Sequence, residues 1–248
     1  FKISTGTICK AERIASAALK NPVEEAKKYI KNKKTEVHAD ETGHKEKGKR
    51  MWAWVAVACC LSIFIIRPSR GSIVAKELLG EDFSGTLITD RWSAYSWVSE
   101  LLRQLCWSHL LRDFEKISER KGTSEKIGKK LIRLTEQMFK YWHQVKRNEK
   151  TKAQFQKYMA KKIPEFEKIL KNGTRCKHKK TKGMCKEILK LKNALWTFVH
   201  KEGVETTNNL AERTIRTHVI WTKTSFGTQS KAGTLYMERV LTVVGSCK

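Results

Sequence analysis

Glu36-Val-His-Ala-Asp40-Glu-Thr42 is followed, after a polar break, by Met51-Trp-Ala-Trp-Val-Ala-Val-Ala58 and then Ser62-Ile-Phe-Ile-Ile66; these three runs decide the fold. They are rich in Val, Ile, Trp and Phe, residues that suit a buried pleated surface. Three strands are expected, with Gly43 to Lys49 read as a polar turn. Cys59-Cys60-Leu61 joins the second and third strands without a strong turn residue. Pro68 and Gly71 close that pair. Working outward, Ser72 to Leu79 reads as a helix ended by Gly80. Gly85-Thr-Leu-Ile-Thr-Asp90 is a short strand that ends on a carboxylate. Tyr95 to Leu102 is expected to be a short helix and Arg103 to Trp107 a fifth strand. Upstream, residues 1–35 form a basic helical lead-in, with Ala11 to Leu19 and Pro22 to Ile30 as its two pieces.

From about Asp113 to His200 the pattern turns helical. Ile127, Leu131, Leu134, Met138, Trp142 and Val145 recur at spacings of three and four. Phe155, Tyr158, Met159, Phe166, Ile169 and Leu170 form a second stripe, closed by Asn172-Gly173. Met184, Ile188, Leu191, Leu195 and Phe198 form a third. Thr174 to Lys182 between them reads as a basic loop. Acids on the first and fourth strands, in the order strand, strand, strand, helix, strand, helix, strand, suggest an α/β fold of ribonuclease H-like type. It would be a mixed sheet with flanking helices, residues 36–248, with a helical insertion at about 116–200 before the last helix.

Charge narrows the partner. The 248 residues hold 51 Lys and Arg against 25 Asp and Glu, a net +26. Clustered cations gain affinity for DNA by releasing counterions from phosphates, and solubility alone needs far less charge. Residues 116–200 hold 25 Lys or Arg against 7 Glu, so +18 of the total sits in the helical block. A membrane surface is the rival polyanion. The longest apolar stretch, Met51 to Ile66, is broken by Ser62 and falls short of the roughly 20 residues a spanning helix needs. Seven Cys without a framework spacing point to a reduced, intracellular protein. The opening Phe1 reads as the start of a fragment.

Asp40 and Asp90 raise the question of chemistry. A carboxylate on a core strand needs a partner, and a hard divalent cation such as Mg²⁺ prefers carboxylate oxygens. The bland reading is a turn cap or an ion pair. A third acid lies in Val204-Glu-Thr-Thr-Asn-Asn-Leu-Ala-Glu-Arg213, where Glu212 is favoured and Glu205 is the competitor. Asn209 and Glu212 also have the spacing of a capping box, and Glu212 could pair with Arg216.

These residues carry a resemblance. Val37-His-Ala-Asp-Glu-Thr-Gly43, Lys49-Arg-Met-Trp-Ala-Trp-Val55, Pro68-Ser-Arg-Gly71 and Thr89-Asp-Arg-Trp-Ser-Ala-Tyr95 resemble the insertion sequence 66 family of transposases. So do Cys106-Trp-Ser-His-Leu110, Thr207-Asn-Asn-Leu-Ala-Glu-Arg-Thr-Ile-Arg216 and Lys223-Thr-Ser-Phe-Gly-Thr228. The resemblance implies a ribonuclease H-like catalytic domain that cleaves and rejoins DNA. It also implies that Asp40, Asp90 and Glu212 are the DDE carboxylates holding Mg²⁺, with Mn²⁺ as a substitute, and it selects Glu212 over Glu205. His44 departs from the family, which more often has an aromatic residue there. A structure-specific nuclease and a domesticated, non-catalytic DNA-binding protein are the alternatives.

Other residues fill out that expectation. Arg91, Arg213, Arg216 and Lys223 are candidates for DNA contact beside the carboxylates, and Lys177, Lys179, Lys180 and Lys182 for phosphate contact in the basic loop. Trp92 reads as core. Cys106 and His109, with Asn209, are taken as shaping the site. Two zinc arrangements, Cys106 with His109 and Cys176, His178 with Cys185, lack a full ligand set. The partners expected are transposon ends and target DNA, with a homo-oligomer assembled on DNA. The protein is placed in a prokaryotic-type cytoplasm, associated with DNA and not with membrane.

Overall fold

The computed structural model describes residues 3–32 and 36–247. Residues 1, 2 and 33–35 of the lead-in, and Lys248, lie outside them. The lead-in forms two helices, α1 (Thr5–Ala18) and α2 (Lys20–Asn32). Then come β1 (Glu36–Glu46), β2 (Lys49–Ala58), β3 (Leu61–Arg67), α3 (Ser72–Leu79), β4 (Thr86–Thr89) and β5 (Arg103–Leu105). The remaining helices are α4 (Trp107–Ser118), α5 (Thr123–Lys146), α6 (Lys152–Gly173), α7 (Lys179–Lys190), α8 (Thr197–His200), α9 (Asn209–Ser225) and α10 (Lys231–Ser246). The strands make one mixed sheet in the order β3-β2-β1-β4-β5. β1 is antiparallel to β2 and parallel to β4. The chain is therefore α/β. It divides into two compact units, residues 1–102 with 207–248, and residues 103–206.

In the first unit the sheet is covered on both faces, and β2 shows why. Every residue from Ala53 to Ala58 is buried, as expected of a strand with apolar neighbours above and below. Trp54, Ala56 and Ala58 join Val74, Leu78 and Tyr95 on one face. Ala53, Val55 and Val57 meet Ala211 and Ile215 of α9 and Met237 and Leu241 of α10 on the other. The edge strand β3 is sealed by side chains of α10. Glu238 accepts from the amide of Ile66 at 2.7 Å, Thr242 from Phe64 at 2.9 Å and Ser246 from Ser62 at 3.0 Å. Spacing of four along the helix matches alternate N–H groups along the strand, so the exposed edge is satisfied without another strand.

The second unit packs helices around aromatic rings. Trp107 lies edge-on to Phe166 and Phe198, at centroid distances of 5.4 and 6.5 Å. Its indole N–H donates to the Leu195 carbonyl at 2.9 Å. Thr151 and Gln154 cap α6 reciprocally in a capping box. Among the described residues no helix is long and apolar enough to cross a membrane.

Several local expectations need correction. β1 runs to Glu46, so only Lys47-Gly48 turns, with Lys47 at φ 50° and Gly48 at 75°. The polar residues from Gly43 to Glu46 give no apolar alternation, yet they pair with β2 through Lys49. The β2–β3 turn puts Cys59 at φ 53° in a place where Gly or Asn is usual. Tyr95 to Leu102 is not a helix but two single 3₁₀ turns, Ser93–Tyr95 and Glu100–Leu102. Ser96, Val98 and Ser99 between them favour such turns over helix. β5 stops at Leu105 because the buried stripe Trp107, Leu110, Phe114 and Ile117 starts α4 there. The expected basic loop is cut short as well. α7 begins at Lys179, since Thr181, Cys185 and Ile188 form its buried stripe. The third apolar stripe is broken into α7, a 3₁₀ turn at Asn193–Leu195, and α8.

Candidate functional site

Asp40, Asp90 and Glu212 all fall in the first unit. Asp40 is the fifth residue of β1, Asp90 follows the last residue of the adjacent parallel β4, and Glu212 lies in the first turn of α9. Asn208 anchors the start of α9. It is buried, and its side-chain amide donates to the carbonyl of Ala39, next to Asp40, at 2.8 Å. The helix thus starts pinned to the strand that carries the first acid. Asn208, not Asn209, occupies the N-cap position, and no side chain caps the helix there. The capping-box reading of Asn209 with Glu212 therefore fails, and Asn209 is exposed.

The electrostatics at Asp40 are unfavourable for the bare protein. Burial pushes its pKa up to about 7 from the ordinary 3.8, and the charges of Glu41, Asp90 and Glu212 push the same way. Only the Glu41 amide, donating to Asp40 Oδ1 at 2.9 Å, opposes this among the main causes. Asp90 is held in a tight turn, its Oδ1 accepting from the Trp92 amide at 2.8 Å. A carboxylate whose charge is disfavoured by burial and by neighbouring acids is a hard oxygen donor of the kind a divalent cation can relieve.

Glu41 has the opposite setting. Successive strand side chains point to opposite faces, so the residue next to Asp40 looks away from α9. There Glu41 Oε2 accepts from the Tyr95 hydroxyl at 2.6 Å, and Oε1 accepts from Arg70 Nε and Nη2 at 3.0 and 2.8 Å. Burial, with the charge of Asp90, leaves the Glu41 pKa raised even though Tyr95 and Arg70 lower it. Arg70 is sandwiched, 4.8 Å from the Trp52 ring and 4.0 Å from the Trp92 ring. Trp92 also donates its indole N–H to the Arg70 carbonyl at 3.0 Å. It packs against the core, as the sequence suggested. Arg70, Tyr95, Glu41 and Asn208 were not singled out from sequence. Alternation along β1 could have separated Glu41 from Asp40, but nothing local pairs it with Arg70.

The remaining candidates fall in both units. Arg91 is half-buried beside Asp90, while Arg213, Arg216 and Lys223 are exposed along α9. Cys106 is buried at the N-cap position of α4 and His109 is half-buried in its first turn, both in the second unit. Glu205 also lies there, in an ion pair with Lys146. Cys176 and Cys185 are buried and His178 is exposed. Burial lifts the Cys185 thiol to about 11, against the thiolate that zinc requires. Lys177, Lys179, Lys180 and Lys182 are all exposed; only Lys177 is outside the helix.

Residues 1–235 match the family model described as Transposase IS66 family. No curated protein and no solved structure matches the chain.

Proposed function

This chain belongs to the IS66 family of transposases, and we propose that it cuts DNA at transposon ends and joins the cut strand to target DNA by metal-dependent phosphoryl transfer. A sheet ordered β3-β2-β1-β4-β5, with β1 antiparallel to β2 and parallel to β4, supports the ribonuclease H-like reading of the fold. The observation that carries the chemistry is the setting of Asp40, half-buried and under the charges of Glu41, Asp90 and Glu212.

Asp40, Asp90 and Glu212 would hold the divalent cation, Mg²⁺ by preference and Mn²⁺ as a substitute. When bound, the metal supplies charge stabilisation to the attacking and leaving oxygens of the displacement. The protein's own contribution is placement. Asn208 fixes the start of α9 against β1, and the Asp90 turn fixes the second carboxylate. Arg91, Arg213, Arg216 and Lys223 would neutralise and orient the phosphates that flank the reacting one. The second unit, with most of the positive charge, would add phosphate contacts that do not read sequence. Residues 36–248 would then be one catalytic domain carrying a basic helical insertion.

Labelled transposon ends, mixed with the protein, Mg²⁺ and a target duplex, test the reading. Joined product is expected. Cleavage without joining would make the protein a nuclease, and neither product would leave it a DNA-binding protein without chemistry. Asp40→Asn, Asp90→Asn and Glu212→Gln should each abolish both products and keep DNA binding, because the amide preserves shape and removes charge.

A further inference from the structure

Beyond the carboxylates, both β1 and α9 run on to a second feature. His44 lies four residues past Asp40 on β1, roughly 13 Å along the strand. Thr222 lies ten residues past Glu212 on α9, roughly 15 Å along the helix. Between them opens a cavity of about 490 Å³, lined by Gly43, His44, Lys45, Arg50, Thr222 and Phe226. That volume falls in the range of about 300–1,000 Å³ usual for small-ligand sites.

The mouth of this cavity is built at a conformational cost. Phe226 ends α9 in the left-handed region, at φ 58°, where a bulky side chain is rare. It is nonetheless 79% exposed, so burial does not explain its presence. Its neighbours enforce the conformation. Gly227 has φ 107°, and a Cβ there would come within 2.1 Å of the Lys45 carbonyl oxygen. The amide of Thr228 donates to Lys45 O at 2.9 Å, and the amide of Lys47 donates to Thr228 O at 2.8 Å. These bonds lock the end of α9 to the β1–β2 hairpin.

The floor is equally fixed. His44 is buried and hydrogen-bonded to Thr228 Oγ1 at 3.1 Å and to His218 at 3.2 Å. Thr228 bonds Thr234 at 2.6 Å, and Thr234 donates to Glu46 at 2.5 Å. Of the cavity's lining residues Lys45 and Arg50 are exposed, the Arg50 guanidinium lying 4.7 Å from the Trp52 ring, while Lys47 and Lys49 are exposed elsewhere on the hairpin and Lys223 on the last turn of α9. An aromatic face held out in solvent, an apolar hollow and two cations in its lining together match one ligand chemistry, a nucleobase with its phosphates.

We propose that this cavity takes a single unstacked base of the DNA strand that runs from the carboxylates, a few nucleotides from the reacting phosphate. Phe226 is the stacking platform, and Lys45 and Arg50 hold the adjoining phosphates. The proposal rests on the transposase reading for the identity of the strand. It adds a reason for the unusual backbone at Phe226-Gly227.

The test uses the full chain without divalent metal, so that no cleavage intervenes. Affinity is measured for a plain duplex and for a forked duplex whose unpaired tail carries 2-aminopurine at successive positions. The wild-type protein should prefer the fork and quench the probe most strongly at one tail position. Phe226→Ala should lower fork affinity by roughly 5- to 150-fold, the usual worth of one stacked base, and leave duplex affinity unchanged. Phe226→Trp should restore both fork preference and quenching. A folded Phe226→Ala protein that keeps the wild-type fork preference overturns the proposal. So does a wild-type protein that binds both DNAs equally. Loss of an oligomer in Phe226→Ala, seen by light scattering with fork preference intact, also overturns it and assigns the aromatic to a second copy of the chain. Because fork binding is read without metal, an inactive protein that still discriminates forks damages only the catalytic reading. An active one indifferent to Phe226 damages only this proposal.

Discussion

Asp40 and Glu41 are adjacent residues of the same strand, and the two faces of the sheet treat them in opposite ways. On the face toward α3, Glu41 is clamped by the Arg70 fork and the Tyr95 hydroxyl, and the arginine is itself packed between two tryptophans. That acid is a finished structural part. On the face toward α9, Asp40 has no cation among the described residues to pair it, and burial with the charges of Glu41, Asp90 and Glu212 raises its pKa to about 7. A folded protein keeps such an arrangement when a ligand relieves it. Chemical type does not separate the two acids; the completeness of their surroundings does.

The largest expected effect follows from this contrast. Asp40→Asn should abolish cleavage yet stabilise the metal-free protein. The sign can be worked out from the raised pKa. A carboxylate that titrates near 7 when folded and near 3.8 when unfolded penalises the fold above pH 7, and protonation lifts the penalty as pH falls toward 4. Removing the charge should therefore stabilise by on the order of 2 kcal/mol above pH 7, allowing for partial exposure, with the gain vanishing near pH 4. Denaturant melts at pH 8 and pH 4 measure it. A destabilised Asp40→Asn protein at pH 8 would show that Asp40 is as well satisfied as Glu41.

Glu41 should respond in the reverse sense. Arg70→Ala leaves a buried carboxylate with only Tyr95, and should cost on the order of 2–3 kcal/mol, since the arginine is partly exposed. Adding Glu41→Gln should recover part of that loss, because the stranded charge disappears. A double-mutant cycle with no coupling between the two positions would break the comparison.

A second titratable pair lies on the α9 face. His218 is buried against His44, and its pKa is lowered to about 4, first by burial and then by the charge of His44. A histidine that titrates lower in the folded state than in the unfolded state costs stability as pH falls from about 6.5 toward 4. Asp40 acts oppositely over much of the same range, so these two contributions to the wild-type curve offset each other there. His218→Gln should then gain stability on acidification and Asp40→Asn should lose it, each by about 1–3 kcal/mol between pH 7 and pH 4. Parallel curves for the two variants would refute the assignment of opposite signs.

Much of the contrast was open to a reader of the sequence, and its partners were not. The runs from Met51 to Ile66 declared two strands because β-branched and aromatic residues have few other uses at that density. Ser72 to Leu79, stopped by Gly80, was readable because a helix end is a local event. Gly43 to Glu46 reads as turn because its one buried residue, His44, is polar and leaves no apolar alternation. The clamp on Glu41 comes from Arg70, 29 residues away, and the sealing of β3 comes from α10, more than 170 residues away. Pairings of that range depend on tertiary packing, and no local spacing encodes them. Lys179 to Lys182 reads as loop because the charges outnumber the apolar residues. Thr181 at 0% exposure, bonded to Ser124 at 3.0 Å, shows that a polar residue began the buried stripe.

The second unit extends the comparison to charges that neither face of the sheet uses. Lys179, Lys180 and Lys182 stand in the first turn of α7, which has no acidic residue, and Lys177 stands just before it. Cations at a helix N-terminus oppose the helix dipole, by about 0.3–1 kcal/mol each at low salt. A phosphate backbone lying there would reverse that cost. Replacing all four with Ala should therefore weaken binding to related and unrelated DNA alike. It should also flatten the plot of log affinity against log salt by about 0.9 for each phosphate that is no longer neutralised. The helix should persist and even gain slightly, because Ala is the better helix former and the buried stripe of Thr181, Cys185 and Ile188 is untouched. Circular dichroism and a salt titration of the quadruple variant read both effects together. A more stable helix with an unchanged salt slope would mean that these lysines never meet DNA, and that the positive charge of this unit is engaged at other positions.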